Sequence, residues 1–471
     1  MKLEEIDVES TIKSTKRMLD EDQSVSPALK ASIELLLLLV TLLVNRLGLN
    51  SNNSSKPPSS DPNRVKKKKE PSTRKPGGQK GHNGATLKKV EKPDLIKNIP
   101  LDRATLPKGD YRVVGYDARQ VIDIDISQVV TEYRAQILEG ADGNRYTAPF
   151  PEGVNRSVQY GINLKSHSVY LSQYQLIPYN RIEETFRDQA SIPVSGGSIY
   201  NFNEEAYEKL DIFDSIARSR LINSDVCHAD ETGININGDR VWLHSVSNGK
   251  WTYFYPHEKR GGEAMNEMGI LPNFTGILCH DHWKPYFNFG CEHSLCNAHH
   301  LRELQRAWEQ DNQEWARDIR DLLLEINTAV DDTGGQLTQE TSLEFRHRYR
   351  KRLKEAETEC PPPDESQRNG KRGRLKRSKA RNLLERLTDY EKEVLRFMDD
   401  ERVPFTNNQG ENDIRMTKVQ QKISGCFRSM KGAEVFCRVR SYLSTCKKHG
   451  VRASVALRLL FEGKLPDFMH E

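Results

Sequence analysis

Apolar residues at Leu29, Ile33, Leu36, Val40, Leu43 and Leu47 step by 4, 3, 4, 3 and 4. That is coiled-coil spacing, and it predicts a helix from about Pro27 to Leu47. The dense apolar run Leu35–Val44 covers only ten residues, against roughly 20 for a bilayer-crossing helix. Self-association is therefore the expected role, and a membrane anchor is not expected. Further on, Ile122, Ile124 and Ile126 alternate with Asp123 and Asp125, followed by the alternating piece Val130-Thr-Glu-Tyr-Arg. This period of two predicts a small β-rich module. Helical spacing takes over from Tyr160 to Leu210: Pro178 separates two helices, and Ser195-Gly-Gly-Ser-Ile caps a third. Such a trio is compatible with a helix-turn-helix and equally with a plain helical bundle.

The stretch from Ser224 to His244 reads as a buried strand, Val226-Cys-His-Ala, ending at the acidic pair Asp230 and Glu231. Gly233 would then turn, and Val241-Trp-Leu-His would form a second strand after Asn237-Gly238-Asp239. Trp251-Thr-Tyr-Phe-Tyr adds a third strand, and Gly276-Ile-Leu-Cys-His-Asp281 is another buried strand closing on a carboxylate. His293 to Asn297 is a further short strand. A long helix through Leu301, Leu304, Trp308, Trp315, Ile319, Leu322 and Ile326 comes next. Thr406 would cap a helix to about Ile423 closed by Gly425, and two more helices end at Gly450 and Gly463.

Composition adds a segment that cannot build a core. Asn50 to Thr86 consists of Ser, Asn, Pro, Lys and Gly with almost no large apolar side chain, which predicts a disordered linker. The chain of 471 residues carries a net charge of +4, yet Arg64–Lys80 alone carries +7 and the remainder −3. Lys66, Lys67, Lys68, Lys69, Arg74 and Lys75 lie in that window, where they can displace counterions from a nucleic-acid backbone. All eight cysteines lie from Cys227 onward, in no disulfide-like spacing, and the N-terminus has no signal-peptide pattern. A reducing, cytoplasmic setting is expected.

Asp230, Asp281 and Glu411 each sit where an element is predicted to end or begin, 51 and then 130 residues apart. Three ionised carboxylates at one sheet rim repel each other unless a hard divalent cation such as Mg²⁺ lies between them. Such ions activate attacking oxygens and stabilise leaving ones in phosphoryl transfer. Arg415, Lys418 and Lys422 fall at i+4, i+7 and i+11 from Glu411, forming a cationic stripe suited to a phosphate backbone. Asp225, Glu231 and Asp413 compete for the acidic roles on pattern alone.

Several blocks in fixed order then carry a family resemblance. They are Asn53-Ser-Ser-Lys-Pro-Pro-Ser-Ser-Asp61, Arg74-Lys-Pro-Gly-Gly-Gln-Lys-Gly-His82 and Tyr170-Leu-Ser-Gln-Tyr-Gln-Leu-Ile-Pro-Tyr179. Next come His228-Ala-Asp-Glu-Thr232, His280-Asp-His-Trp-Lys-Pro-Tyr286 and Cys296-Asn-Ala-His-His-Leu-Arg-Glu-Leu304. The last runs from Asn407-Asn-Gln-Gly-Glu411 to Lys422-Ile-Ser-Gly-Cys-Phe-Arg-Ser429. Over nearly its whole length the chain resembles bacterial insertion-sequence transposases of the DDE type, specifically the insertion sequence 66 family.

The resemblance implies an α/β chain with a ribonuclease-H-like catalytic core interrupted by a helical insertion. It implies Asp230, Asp281 and Glu411 as catalytic and metal-binding acids, Mg²⁺ or Mn²⁺ as cofactor, and cleavage and joining of DNA ends. Lys418 falls where related transposases often carry a basic residue. The partners implied are the element's terminal inverted repeats, target DNA, further copies of the chain and small accessory proteins, with a nucleoid-associated location.

The expected organisation is a leucine-rich helix at 1–49, a basic linker at 50–92 and a β-rich module at 93–150. A helical, helix-turn-helix-like region follows at 151–218. The first part of the catalytic domain is placed at 219–300, the insertion at 301–400, the Glu411 helix at 401–430 and terminal helices at 431–471. Relatives often carry paired cysteines at the position of the β-rich module; here there are none, so zinc is not expected there. Cys296 and His299, within the group Cys291, His293, Cys296, His299 and His300, have ligand-like composition, but packing at a strand end and helix start is their expected role. The rival to a transposase is a DNA-binding relic or repurposed copy without catalysis.

Overall fold

The computed structural model describes residues 2–3, 6–22, 24–54, 61, 87–364 and 375–470. Two short strands, β1 (Lys2–Leu3) and β2 (Ile6–Asp7), precede helices α1 (Val8–Glu21) and α2 (Pro27–Leu47). α2 starts where its sequence says it should: the Ser26 side chain accepts from the Leu29 N–H, and Pro27 occupies the first turn. An ion pair between Lys30 and Asp20, 2.9 Å apart, ties the two helices.

Along α2, Leu35, Leu36, Leu38, Leu39, Leu42 and Leu43 remain exposed. The helix is 21 residues long and holds an 18-residue window with a mean hydropathy of 2.0, so it is long and apolar enough, by length and composition only, to cross a bilayer. Apolar positions on both sides of the ten-residue run Leu35–Val44 lengthen this stretch. Lys30, Glu34 and Arg46 still place charge within the helix. Beyond it, Asn53 is buried and donates to Glu309 Oε2 at 2.8 Å, anchoring the turn at 50–54 to the rest of the chain.

The segment 93–150 departs from the expected β-rich module. Among the described residues it holds one short helical turn (Arg103–Thr105) and one hairpin, β3 (Ile137–Glu139) with β4 (Arg145–Thr147). Ile122, Ile124, Ile126 and Val130 are exposed and belong to no strand. Alternation marks a strand only where a neighbouring strand and a core receive its two faces, and neither is present here. Lys66, Lys67, Lys68, Lys69, Arg74 and Lys75 lie outside the described residues.

Four helices follow: α3 (Ile162–Val169), running into a π-helical turn at Tyr170–Tyr174, then α4 (Tyr179–Ala190), α5 (Gly196–Lys209) and α6 (Asp211–Ile222). Ser195 caps α5 as its sequence indicates. Ile182, Ile199, Leu210, Phe213 and Leu221 of these helices share one apolar core with Cys227, Ala229 and Leu278 of the central sheet. Packing therefore does not set 151–218 apart from the sheet.

That sheet contains β5 (Val226–Ile236), β6 (Asp239–Ser247), β7 (Thr252–His257), β8 (Ile277–His280) and β9 (Glu292–Leu295). A short helix, α7 (Gly262–Met268), lies between β7 and β8. The strand order is β7-β6-β5-β8-β9; β6 runs antiparallel to its neighbours β5 and β7, while β8 runs parallel to β5 and β9 parallel to β8. Asn237 and Gly238 take positive φ angles of 50° and 97°, the conformation an Asn-Gly hairpin turn requires. This pair turns the chain, and Gly233 does not: β5 runs straight through Asp230, Glu231 and Gly233.

Helices α8 (Asn297–Asp311), α9 (Glu314–Asp332), α10 (Gln339–Glu359), α11 (Lys379–Asp389) and α12 (Glu391–Leu395) build a second core with Ile277, Cys279 and Leu295. The single long helix expected from Leu301 to Ile326 is broken at Asn312, which adopts φ 53°. Asparagine tolerates that left-handed conformation. The chain ends in α13 (Asn408–Ser424), α14 (Met430–Lys448) and α15 (Ala453–Phe461). α13 covers β5 and β6 through Ile414, Ile234, Val241 and Leu243.

Candidate metal centre and its surroundings

β5 is longer than its parallel neighbour. The β5–β8 pairing stops at His228 opposite Cys279, while β5 continues to Ile236, so Asp230 and Glu231 lie mid-strand at the point where one flank opens. Asp281 immediately follows the last residue of β8, and Glu411 sits in the first turn of α13. The expectation that Asp230 closes its strand is thus corrected. What ends there is the pairing with β8.

Side chains alternate along a strand, which separates the two adjacent acids. Asp230 shares a face with His228 and Ile234, beneath α13. Glu231 takes the other face and is buried, where the Tyr286 hydroxyl donates to its Oε2 at 2.6 Å and Arg260 Nε to its Oε1 at 3.0 Å. Arg260 is itself stacked over Trp283 and Trp242, with its guanidinium carbon 4.2 and 4.7 Å from the ring centres. Both Glu231 oxygens are therefore already engaged by protein donors. Burial raises its pKa, opposed by the Tyr286 bond.

The Asp230 carboxyl is pushed up to about 8, by burial first and then by the negative charges of Glu231 and Asp281. The Glu231 backbone N–H, 2.9 Å from Asp230 Oδ1, works in the opposite direction, and Glu411 adds to the rise. Asp281 and Glu411 are thus each within electrostatic reach of Asp230. Glu411 Oε1 is buried without a hydrogen-bond partner, 3.8 Å from His299 Nδ1 and 3.8 Å from Arg302 Nη2. Carboxylate oxygens bearing like charges fit a hard divalent cation.

Asn407 holds these pieces in register, and the sequence reading passed over it. Its Oδ1 accepts from His228 Nδ1 at 2.7 Å, its Nδ2 donates to the Ala229 carbonyl at 2.9 Å, and its backbone N–H points at Cys296 Sγ, 3.1 Å away. The residue is 2% exposed. Asn407, not Thr406, precedes α13, and its side chain is unavailable for capping because it reaches across to β5. Gly410 makes this possible: a Cβ there would stand 3.1 Å from the Asn407 amide. The signal for this clamp lay in the run Asn407-Asn-Gln-Gly-Glu411, whose polar residues are costly to bury without such a role.

Of the cationic stripe, Lys418 Nζ donates to the Gly233 carbonyl at 2.8 Å, with Gln421 Nε2 on the same oxygen at 3.2 Å. Lys418 therefore ties α13 to β5. Arg415 and Lys422 are exposed on the same helix. Cys296 is the residue preceding α8, and His299 lies in that helix's first turn.

The mixed five-stranded sheet thus carries acidic residues where its β5–β8 pairing ends, with the exposed cations Arg415 and Lys422 on the neighbouring helix. The family model "Transposase IS66 family" matches residues 157–435. The match spans the sheet, the helical insertion and α13, more than half of the chain. The chain belongs to this transposase family. A second model, for a family of unknown function (DUF6444), matches residues 5–88, covering α1, α2 and the basic segment. No curated protein matches the chain.

Proposed function

We propose that this protein is a DNA transposase that cuts and joins the ends of an insertion sequence by metal-dependent phosphoryl transfer, on a ribonuclease-H-like core. What supports the proposal is that the charges of Asp281, after the end of β8, and Glu411, on a late helix, both reach Asp230 on the central strand. The strand order β7-β6-β5-β8-β9, in which β6 alone runs opposite to the other four strands, supports the assignment of the core. Membership of the transposase family supports the reaction.

In this reading Asp230, Asp281 and Glu411 hold Mg²⁺ or Mn²⁺. The bound metal would polarise a phosphate ester and lower the pKa of an attacking hydroxyl or water. Glu231, engaged by Tyr286 and Arg260, fixes the backbone of β5 beneath Asp230. Asn407 fixes α13, and hence Glu411, against β5. Lys418 braces the same helix, while Arg415 and Lys422 face the DNA backbone, as do the basic residues between Arg64 and Lys80. Exposed leucines of α2 join copies of the chain, and action on DNA in the cytoplasm accompanies the reading.

The test combines purified protein, Mg²⁺ and DNA carrying the element's terminal repeats. Strand cleavage at the element's ends that disappears in Asp230→Ala is expected. Salt-sensitive binding without cleavage would favour a non-catalytic DNA-binding relic, and undiminished cleavage by Asp230→Ala would refute the assignment of the acids.

A further inference from the structure

The Cys296-x-x-His299 pair spans the start of α8, so thiol and imidazole emerge from one helix end. The fold brings a third donor to them from α13: one ligand atom each of Cys296, His299 and Glu411 lies within 4.8 Å of the other two. We propose that these three residues form a site for a soft divalent ion of the zinc class, which shares Glu411 with the acid cluster.

Three observations carry this. First, His299 Nδ1 and Glu411 Oε1 are both buried, both without a hydrogen-bond partner, and 3.8 Å apart. Neither atom has a hydrogen bond, and Glu411 Oε1 is met only at ion-pair distance by Arg302, 3.8 Å away; buried polar atoms left this way are costly. A metal ion between them satisfies both.

Second, backbone donors face the sulfur and oppose the burial that otherwise raises the Cys296 pKa. The Asn407 backbone N–H lies 3.1 Å from Cys296 Sγ, and the sulfur sits at the N-terminal end of α8, where backbone N–H groups favour an anion. Amide donors to sulfur of this kind orient and stabilise a metal-bound thiolate.

Third, one ligand pair already stands near zinc spacing, and the other two lie within 4.8 Å. Zinc bonds of about 2.0–2.3 Å set tetrahedral ligand atoms roughly 3.5 Å apart. The 3.8 Å separation of His299 Nδ1 and Glu411 Oε1 is close to that value.

Thiolate and imidazole select zinc over magnesium, which prefers oxygen alone. The two metals are therefore divided by chemistry. The zinc-class ion takes the Cys296 and His299 side with one Glu411 oxygen, leaving the other carboxylate oxygen toward Asp230 and Asp281. Three protein ligands leave a fourth position for water or a DNA oxygen. The site does not depend on the acid cluster cutting DNA, and its test reads no cleavage.

Protein purified without chelator and dialysed into metal-free buffer should retain about one zinc per chain by elemental analysis. Asp281→Asn should retain it, whereas Cys296→Ser and His299→Asn should lose it about tenfold. Cobalt substitution should give a near-ultraviolet sulfur-to-metal charge-transfer band in the wild type that is absent from Cys296→Ser, with circular dichroism confirming that each variant is folded. His299→Asn provides a second reading where Cys296→Ser does not fold. Zinc retained equally by the folded ligand variants, or a wild type that takes up neither zinc nor cobalt, would overturn the proposal.

Discussion

Asp230→Asn offers a sharp test of the electrostatics at the acid cluster. In the folded chain the Asp230 carboxyl is pushed up to about 8, against 3.8 for an unperturbed group. Below pH 3.8 it is neutral in both folded and unfolded states and costs nothing. Above that value the unfolded chain releases the proton and the folded chain does not, so stability falls by about 1.4 kcal/mol per pH unit. The fall continues until pH reaches about 8, and the cost is constant beyond. At pH 7 the interval is roughly three units, an upper bound of about 4 kcal/mol. Asp230 retains some contact with solvent, so about 1–3 kcal/mol is the expected share. Asparagine keeps the shape and removes the charge.

In chelator-containing buffer, calorimetry should therefore show Asp230→Asn melting a few degrees above the wild type at pH 8, with a smaller difference at pH 5. Mg²⁺ should raise the wild-type midpoint more at pH 8 than at pH 6, because binding must displace the Asp230 proton. The variant should respond little. A variant that melts lower than the wild type at pH 8 without metal, or that gains as much from Mg²⁺, would refute the reasoning.

Asn407→Ala leaves His228 Nδ1 and the Ala229 carbonyl unpaired in the interior, and urea unfolding should show a loss of about 2–4 kcal/mol. Tyr286→Phe removes the 2.6 Å bond to Glu231 and should cost about 1.5–3 kcal/mol. Combined with Glu231→Gln it should add much less than its single effect, because the two changes strike one interaction. Lys422→Ala, on the exposed surface of α13, should leave the melting temperature unchanged and lower the slope of log affinity for DNA against log salt by about 1. Leu36→Lys together with Leu43→Lys, both exposed on α2, should lower the mass seen by light scattering at micromolar concentration; a wild type that is already monomeric would refute self-association through this helix.

Local pattern determined a good deal about this protein. Ser26 and Pro27 announce α2, Ser195 announces α5, and Asn237-Gly238 announces the β5–β6 turn, because capping and turn chemistry depend on a few neighbouring atoms. The blocks around Asp230, Asp281 and Glu411 marked the candidate acids before any packing was known. The family resemblance already favoured Asp230 over Glu231; only the tertiary structure decided how their two side chains part. The sequence places them side by side, but the pleat sends one beneath α13 and the other to Tyr286 and Arg260. It likewise decided that the alternation at Ile122–Ile126 forms no strand, since a strand needs a partner that local pattern does not supply. Asn407 shows the same limit: nothing within its own helix reveals that it reaches His228, 179 residues away. Local elements follow from interactions a few residues long, whereas the site is made of contacts between residues far apart in the chain, and these exist only once the sheet and α13 have packed.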